Sequence, residues 1–129
     1  MAAGKLAATQ WLAVGGGAAI GAWSRWFLGL AFNASLFPLG TLIANLVGGF
    51  LMGMAMAYFV LTPHQNEFRL FITTGFLGGL TTFSAFSAEA VNFLHKQEYA
   101  WAAGHIASHV VGSLIMTATG FMLVQYLKS

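Results

Sequence analysis

The sequence predicts an all-α membrane protein, on three observations: charged residues are nearly absent, four long apolar stretches divide the chain, and short polar gaps separate them. Of its 129 residues, 58% are hydrophobic and 6% charged, against about 25% charged in an ordinary soluble domain. So few charges cannot cover a water-facing surface, and lipid is the solvent that makes this much Phe, Leu, Ala and Gly tolerable. Cysteine is absent, which excludes disulfides, thiolate metal sites and cysteine nucleophiles together. The four histidines are scattered without zinc-site flanks. Five basic residues spread along the chain form no patch of the kind nucleic acid requires.

A spanning helix needs about 20 mainly apolar residues to cross a hydrocarbon layer about 30 Å thick. Stretches at about 6–32, 39–61, 68–94 and 99–127 meet that length, giving a single four-helix transmembrane domain over 1–129. The first is expected to stay in the mature protein, because its apolar run outlasts a signal core and shows no small-x-small exit before Arg25. Asn33, Ser35 and Pro38 punctuate the first gap, Pro63, His64, Gln65 and Asn66 the second, and Lys96, Gln97 and Glu98 the third. Gaps this short require neighbouring helices to run antiparallel.

Trp11, Trp23, Trp26, Tyr58, Tyr99, Trp101 and Tyr126 fall mostly toward segment ends and read as interfacial anchors. Gly17 and Gly21, Gly49 and Gly53, and Gly75 and Gly79 form GxxxG pairs. Small residues drive helix association in lipid by letting backbones approach, so the bundle is tight and a water-filled route fits better between chains than within one. Lys5, Arg69 and Lys128 lie on one side of the membrane and Lys96 and Arg25 on the other. A bias this weak permits insertion both ways, and oppositely inserted copies can pair about a two-fold axis in the membrane plane.

Arg25, Asn45, Glu89, His105, His109 and a set of Ser and Thr residues lie within the spans. A charged or strongly polar group there costs a few kcal/mol and points to function. Most membrane Ser and Thr hydroxyls bond the carbonyl four residues back, and an arginine near a span end can snorkel. The third stretch carries Gly78 and Gly79, then Thr81 and Thr82, which are poor helix formers and predict a break at mid-membrane depth. Carbonyls freed by such a break must meet a partner, and a small monovalent cation shared between two copies is one candidate.

Beyond the break, Phe83 and Phe86 share one helix face and Ser84 and Ser87 the adjoining one. His105, His109, Ser113 and Thr117 recur every four residues as a polar stripe, and Asn45 follows Thr41 on one face of the second helix. Neutral N–H and O–H donors beside phenyl edges suit an anion better than a cation. Several weak donors in sequence let an anion enter and leave, where a fixed deep cation would trap it. This chemistry leaves fluoride and chloride both open.

The run GGLTTFSAFSAE from Gly78 to Glu89, with GTLIANLVGG from Gly40 to Gly49, GAWSRW from Gly21 to Trp26 and GSLIMT from Gly112 to Thr117, resembles the Fluc fluoride channels, also called the CrcB family. The resemblance covers all four stretches. It implies an antiparallel dual-topology homodimer in the cytoplasmic (inner) membrane that exports fluoride passively through two pores, with one structural sodium ion at its centre. It implies sodium on the backbone carbonyls of Gly78 and Thr81, an aromatic box of Phe83 and Phe86, Asn45 as a pore amide, Ser113 and Thr117 as a hydroxyl track, and Arg25 in the vestibule. Thr41, Thr82, Ser84 and His109 complete the expected pathway, while Glu89 and His105 are left without a role. Some members carry tyrosine near the box where this chain has His105.

Two rival classes share parts of the pattern. A small multidrug transporter needs a carboxylate in the first helix, and the only acid within the stretches is Glu89 in the third. A non-transporting membrane subunit accounts for the GxxxG pairs but not for a break flanked by Phe, Ser and Asn. No nucleophile, base and orienter set supports an enzyme.

Overall fold

The computed structural model describes residues 7–61 and 66–129, so Lys5, Leu6, Pro63, His64 and Gln65 lie outside the described residues. Helix α1 is Ala8–Phe32 and α2 is Leu39–Leu61. Helix α3, residues 66–80, comprises Asn66–Leu70, a wide π-helical turn at Phe71–Leu77 and a last turn at Gly78–Leu80. Helix α4 is Phe83–His95 and α5 is Tyr99–Lys128. No strand occurs among the described residues.

Local chemistry explains where these helices stop. The Asn33 N–H donates to the Gly29 carbonyl at 2.9 Å to cap α1, and its side-chain oxygen accepts from the Thr41 N–H at 3.2 Å, tying the turn to α2. Pro38 stands immediately before α2, where a missing N–H removes no helical bond. Between α4 and α5, Gln97 takes φ 59° and reverses the chain, while the Glu98 N–H reaches the Phe93 carbonyl at 2.9 Å.

Among the described residues, three helical stretches are long and apolar enough to cross a membrane: Leu39–Val60, Glu67–His95 and Tyr99–Lys128. Helix α1 is 25 residues long, and Gln10, Arg25 and the glycines at 15, 16 and 17 dilute its apolar character. The buried core is small, formed by Ala44, Ala55, Phe59, Leu77 and Leu80. Trp23, Phe27, Leu114, Ile115 and Tyr126 instead point outward. An apolar exterior around internally paired backbone is what a hydrocarbon solvent selects.

Backbone contact, more than side-chain interdigitation, holds the helices together. The π turn brings Gly75 onto α1, where an added Cβ would meet the Val14 carbonyl at 2.8 Å and the Gly17 Cα at 3.0 Å. On the other side, α2 and α5 meet at Gly53 and Gly120, whose Cβ positions are taken by the Thr117 and Phe50 carbonyl oxygens. Replacing Gly120 by Ala is therefore expected to lower stability by about 1–3 kcal/mol, the usual penalty of overpacking. Gly104→Ala on the same helix faces open space and should hold or raise stability by about 0.5–1 kcal/mol. Thermal unfolding of both variants in one detergent checks this, and equal losses would contradict the close approach.

Candidate functional site

Thr81 and Thr82 separate α3 from α4, with backbone angles of φ −86°, ψ 154° and φ −152°, ψ 119°, both extended. The Asn45 side chain holds this pair from α2. Its Oδ1 accepts from the Thr82 N–H at 2.8 Å and its Nδ2 donates to the Thr82 carbonyl at 3.0 Å, substituting for a strand neighbour. The Thr82 hydroxyl then caps α4 by accepting from the Ala85 N–H at 3.0 Å.

These bonds reassign two backbone donors. In an unbroken helix the Thr82 N–H would bond the Gly78 carbonyl and the Ala85 N–H the Thr81 carbonyl. Here they go to Asn45 and to the Thr82 hydroxyl. The adjacent Gly79 carbonyl accepts from Arg25 Nε at 3.1 Å.

Beside the interruption runs an open groove of about 450 Å³, lined among others by Asn45, Thr82, Phe83, Phe86, Ser113 and Thr117. Gly49 leaves it room, since a Cβ there would stand 3.1 Å from the Thr117 hydroxyl. Phe83 lies 77% exposed and Phe86 7%, and their rings meet edge to face at 5.3 Å. Phe86 is fixed from behind by the rings of His105 at 5.2 Å and His109 at 4.7 Å.

A second polar line starts at the α1–α2 turn. Asn33 donates to the Thr41 hydroxyl at 3.2 Å, and Thr41 donates to Glu89 Oε2 at 2.6 Å. The other carboxylate oxygen, Oε1, lies 3.4 Å from His105 Nε2. Glu89 also borders a cavity of about 340 Å³ shared with Asn33, Ser35, Asn92, Lys96 and Glu98.

Glu89, His105 and His109 each offer an atom within 4.8 Å of the others, the composition of a metal-ligand set that the scattered histidines do not announce in sequence. Hydrogen bonding argues against a metal there. Asn45 is oriented by its two bonds to Thr82, so its Nδ2 donates to His109 Nδ1 at 3.0 Å. That places the His109 proton on Nε2, the nitrogen a metal would need bare.

A family model described as CrcB-like protein, Camphor Resistance (CrcB), matches residues 12–121. A protein of Nitrosospira multiformis is 53% identical over 122 residues, covering 89% of this chain and 92% of its own. One of Pseudomonas aeruginosa is 55% identical over 119 residues, covering 90% and 94%, and one of Acinetobacter baylyi is 48% identical over 119, covering 91% and 94%. All three are named fluoride-specific ion channel FluC. The chain belongs to the CrcB family.

In this CrcB chain the groove gathers Asn45, Thr82, Phe83, Phe86, His109, Ser113 and Thr117. Ser84 stands at its edge, 3.2 Å from the Thr82 hydroxyl. Arg25 and Thr41 are held elsewhere, on the Gly79 carbonyl and on Glu89. The Asn45 amide, expected in the pathway, is engaged by Thr82 and His109. Sequence reasoning missed Asn33, read only as loop punctuation, and the tie of Glu89 to Thr41; a lone acid within an apolar stretch was the available signal.

Asn45→Leu keeps approximate size but removes the bonds to Thr82 and His109. At about 1 kcal/mol per bond, and more where a buried group is orphaned, the loss should be about 2–4 kcal/mol in unfolding. Unchanged unfolding of that variant would show that the extended pair does not depend on Asn45.

Proposed function

We propose that the chain is a fluoride-specific ion channel, not an enzyme, that lets fluoride leave the cell passively across the cytoplasmic membrane. Its relatives, about half identical over nine-tenths of the chain, carry that name. The observation that carries the reading is the groove, lined by Thr82, Ser113 and Thr117 together with Phe83 and Phe86 and with no acid in the lining. A small halide gains most from short hydrogen bonds, and ring edges supply positive potential without a trapping charge.

The working unit in this proposal is a pair of oppositely inserted copies with α1, α2, α3 with α4, and α5 as four spans each, the third interrupted mid-membrane. Two pores then run between the copies. The groove supports this because it is open along one side, so a second chain is needed to close a dry route. Each pathway comprises Asn45, Thr82, Phe83, Ser84, Phe86, His109, Ser113 and Thr117, with Thr41 and Arg25 toward its ends. Asn45 acts by positioning, holding the Thr82 hydroxyl and the His109 ring in place. Phe86, clamped between histidine rings and Phe83, presents a fixed edge.

A structural sodium ion fits the same interruption. The Gly78 and Thr81 carbonyls have lost their helical donors to Asn45 and the Thr82 hydroxyl, and neutral oxygens are what a hard cation prefers. Those two carbonyls from each copy would hold it, supplying a positive pin at the two-fold axis.

Purified protein in liposomes should release fluoride while retaining chloride, read by ion-selective electrodes. Phe86→Ile should slow fluoride release about tenfold, the value of about 1.4 kcal/mol at the barrier, with the pair still assembled on size exclusion. Equal passage of the two halides, or none of either, would contradict the proposal.

A further inference from the structure

A second groove, of about 370 Å³, shares no residue with the first and runs between α2, α3 and α5. Leu51, Met54, Tyr58 and Phe59 of α2 form one wall, with Ile72 and Phe76 of α3 opposite. Apart from the Tyr58 hydroxyl, every side chain in the lining is hydrocarbon or thioether. Water finds too few polar partners in such a lining to be held there. From Leu51 to Tyr58 the wall follows α2 for about 10 Å, a shape suited to a chain of methylenes.

The mouth of the groove has the opposite chemistry. Tyr58 lies near the end of the span Leu39–Val60, Arg69 near the start of Glu67–His95, and Lys128 ends Tyr99–Lys128. Lys128 Nζ stands 5.8 Å from the centre of the Tyr58 ring, and Arg69 Cζ stands 5.7 Å from that of Phe59. The two rings themselves meet edge to face at 5.2 Å. Both cations are therefore held over the groove wall at the level where spans meet the headgroup layer.

Among the described residues, neither cation has a carboxylate within ion-pair distance. Glu67, two residues before Arg69, is turned onto α1, where it accepts from the Thr9 hydroxyl at 3.1 Å. An occupant must thus combine an apolar tail with negative charge at one end. A second copy of the chain supplies that charge poorly. It has three side-chain acids, of which Glu67 is engaged by Thr9 and Glu89 by Thr41, leaving Glu98. A phospholipid with a net negative headgroup meets both demands in one molecule.

We propose that this groove binds one anionic phospholipid per chain, an acyl tail lying along α2 and α3 and the phosphate held by Arg69 and Lys128. The site rests on the membrane-spanning fold and the charges at its edge, independently of the ion the chain conducts.

Native mass spectrometry of the purified protein, titrated with phosphatidylglycerol or with phosphatidylcholine of the same tails, tests it. One phosphatidylglycerol per chain should bind about thirtyfold more tightly than phosphatidylcholine, the effect of two cations beside one anionic headgroup. Arg69→Gln combined with Lys128→Gln should erase that preference, while Lys96→Gln keeps it. Should the double variant fail to fold, the single variants decide, each losing about fivefold. Met54→Trp, which fills the groove, should weaken both lipids together. Equal binding of the two lipids by the native chain, or a preference that survives loss of both cations, overturns the site and leaves the channel standing. Met54→Trp that separates paired chains on size exclusion with lipid binding unchanged overturns it too, assigning the groove to a second copy.

Discussion

The Asn45 side chain, bonded through both amide atoms to the backbone of Thr82, is the interaction on which the rest of the structure depends. A membrane helix cannot leave its backbone unpaired, because hydrocarbon supplies no water to replace the lost bonds. Asn45 pairs with the extended backbone as a neighbouring strand would, and the Thr82 hydroxyl restarts the helix. The interruption is thus satisfied on one side only, and the carbonyls of Gly78 and Thr81 are left without their helical donors.

The same residue orders the histidine pair. By donating to His109 Nδ1 it fixes that ring's tautomer, and the ring in turn backs Phe86. A single amide on α2 therefore couples the helix interruption, the aromatic edge and the buried polar cluster. The small residues of α1, α2 and α5 permit this economy, since helices that touch backbone to backbone bring a short side chain such as Asn45 within reach of its neighbours.

Helical, membrane-crossing character was legible from composition, because so few charges on so many apolar residues leave no aqueous alternative. The threonine pair after adjacent glycines marked the place where the backbone turns extended. The Asn45 clamp joins positions 37 apart and the Thr41–Glu89 bond positions 48 apart, distances over which periodicity carries no information. Phe83 and Phe86 show the limit of helix-face arithmetic: three apart on one face, one is exposed and the other buried, because the His105 and His109 rings pack against Phe86. The π turn at Phe71–Leu77 has no sequence mark beyond its threonines and glycine, and it is set by packing on α1.

The extended pair can be observed directly. Solid-state NMR of the threonine-labelled chain in lipid bilayers should place the carbon shifts of Thr81 and Thr82 in the extended range, with Asn45→Leu moving them. Helical shifts at both positions in the native chain would contradict the account.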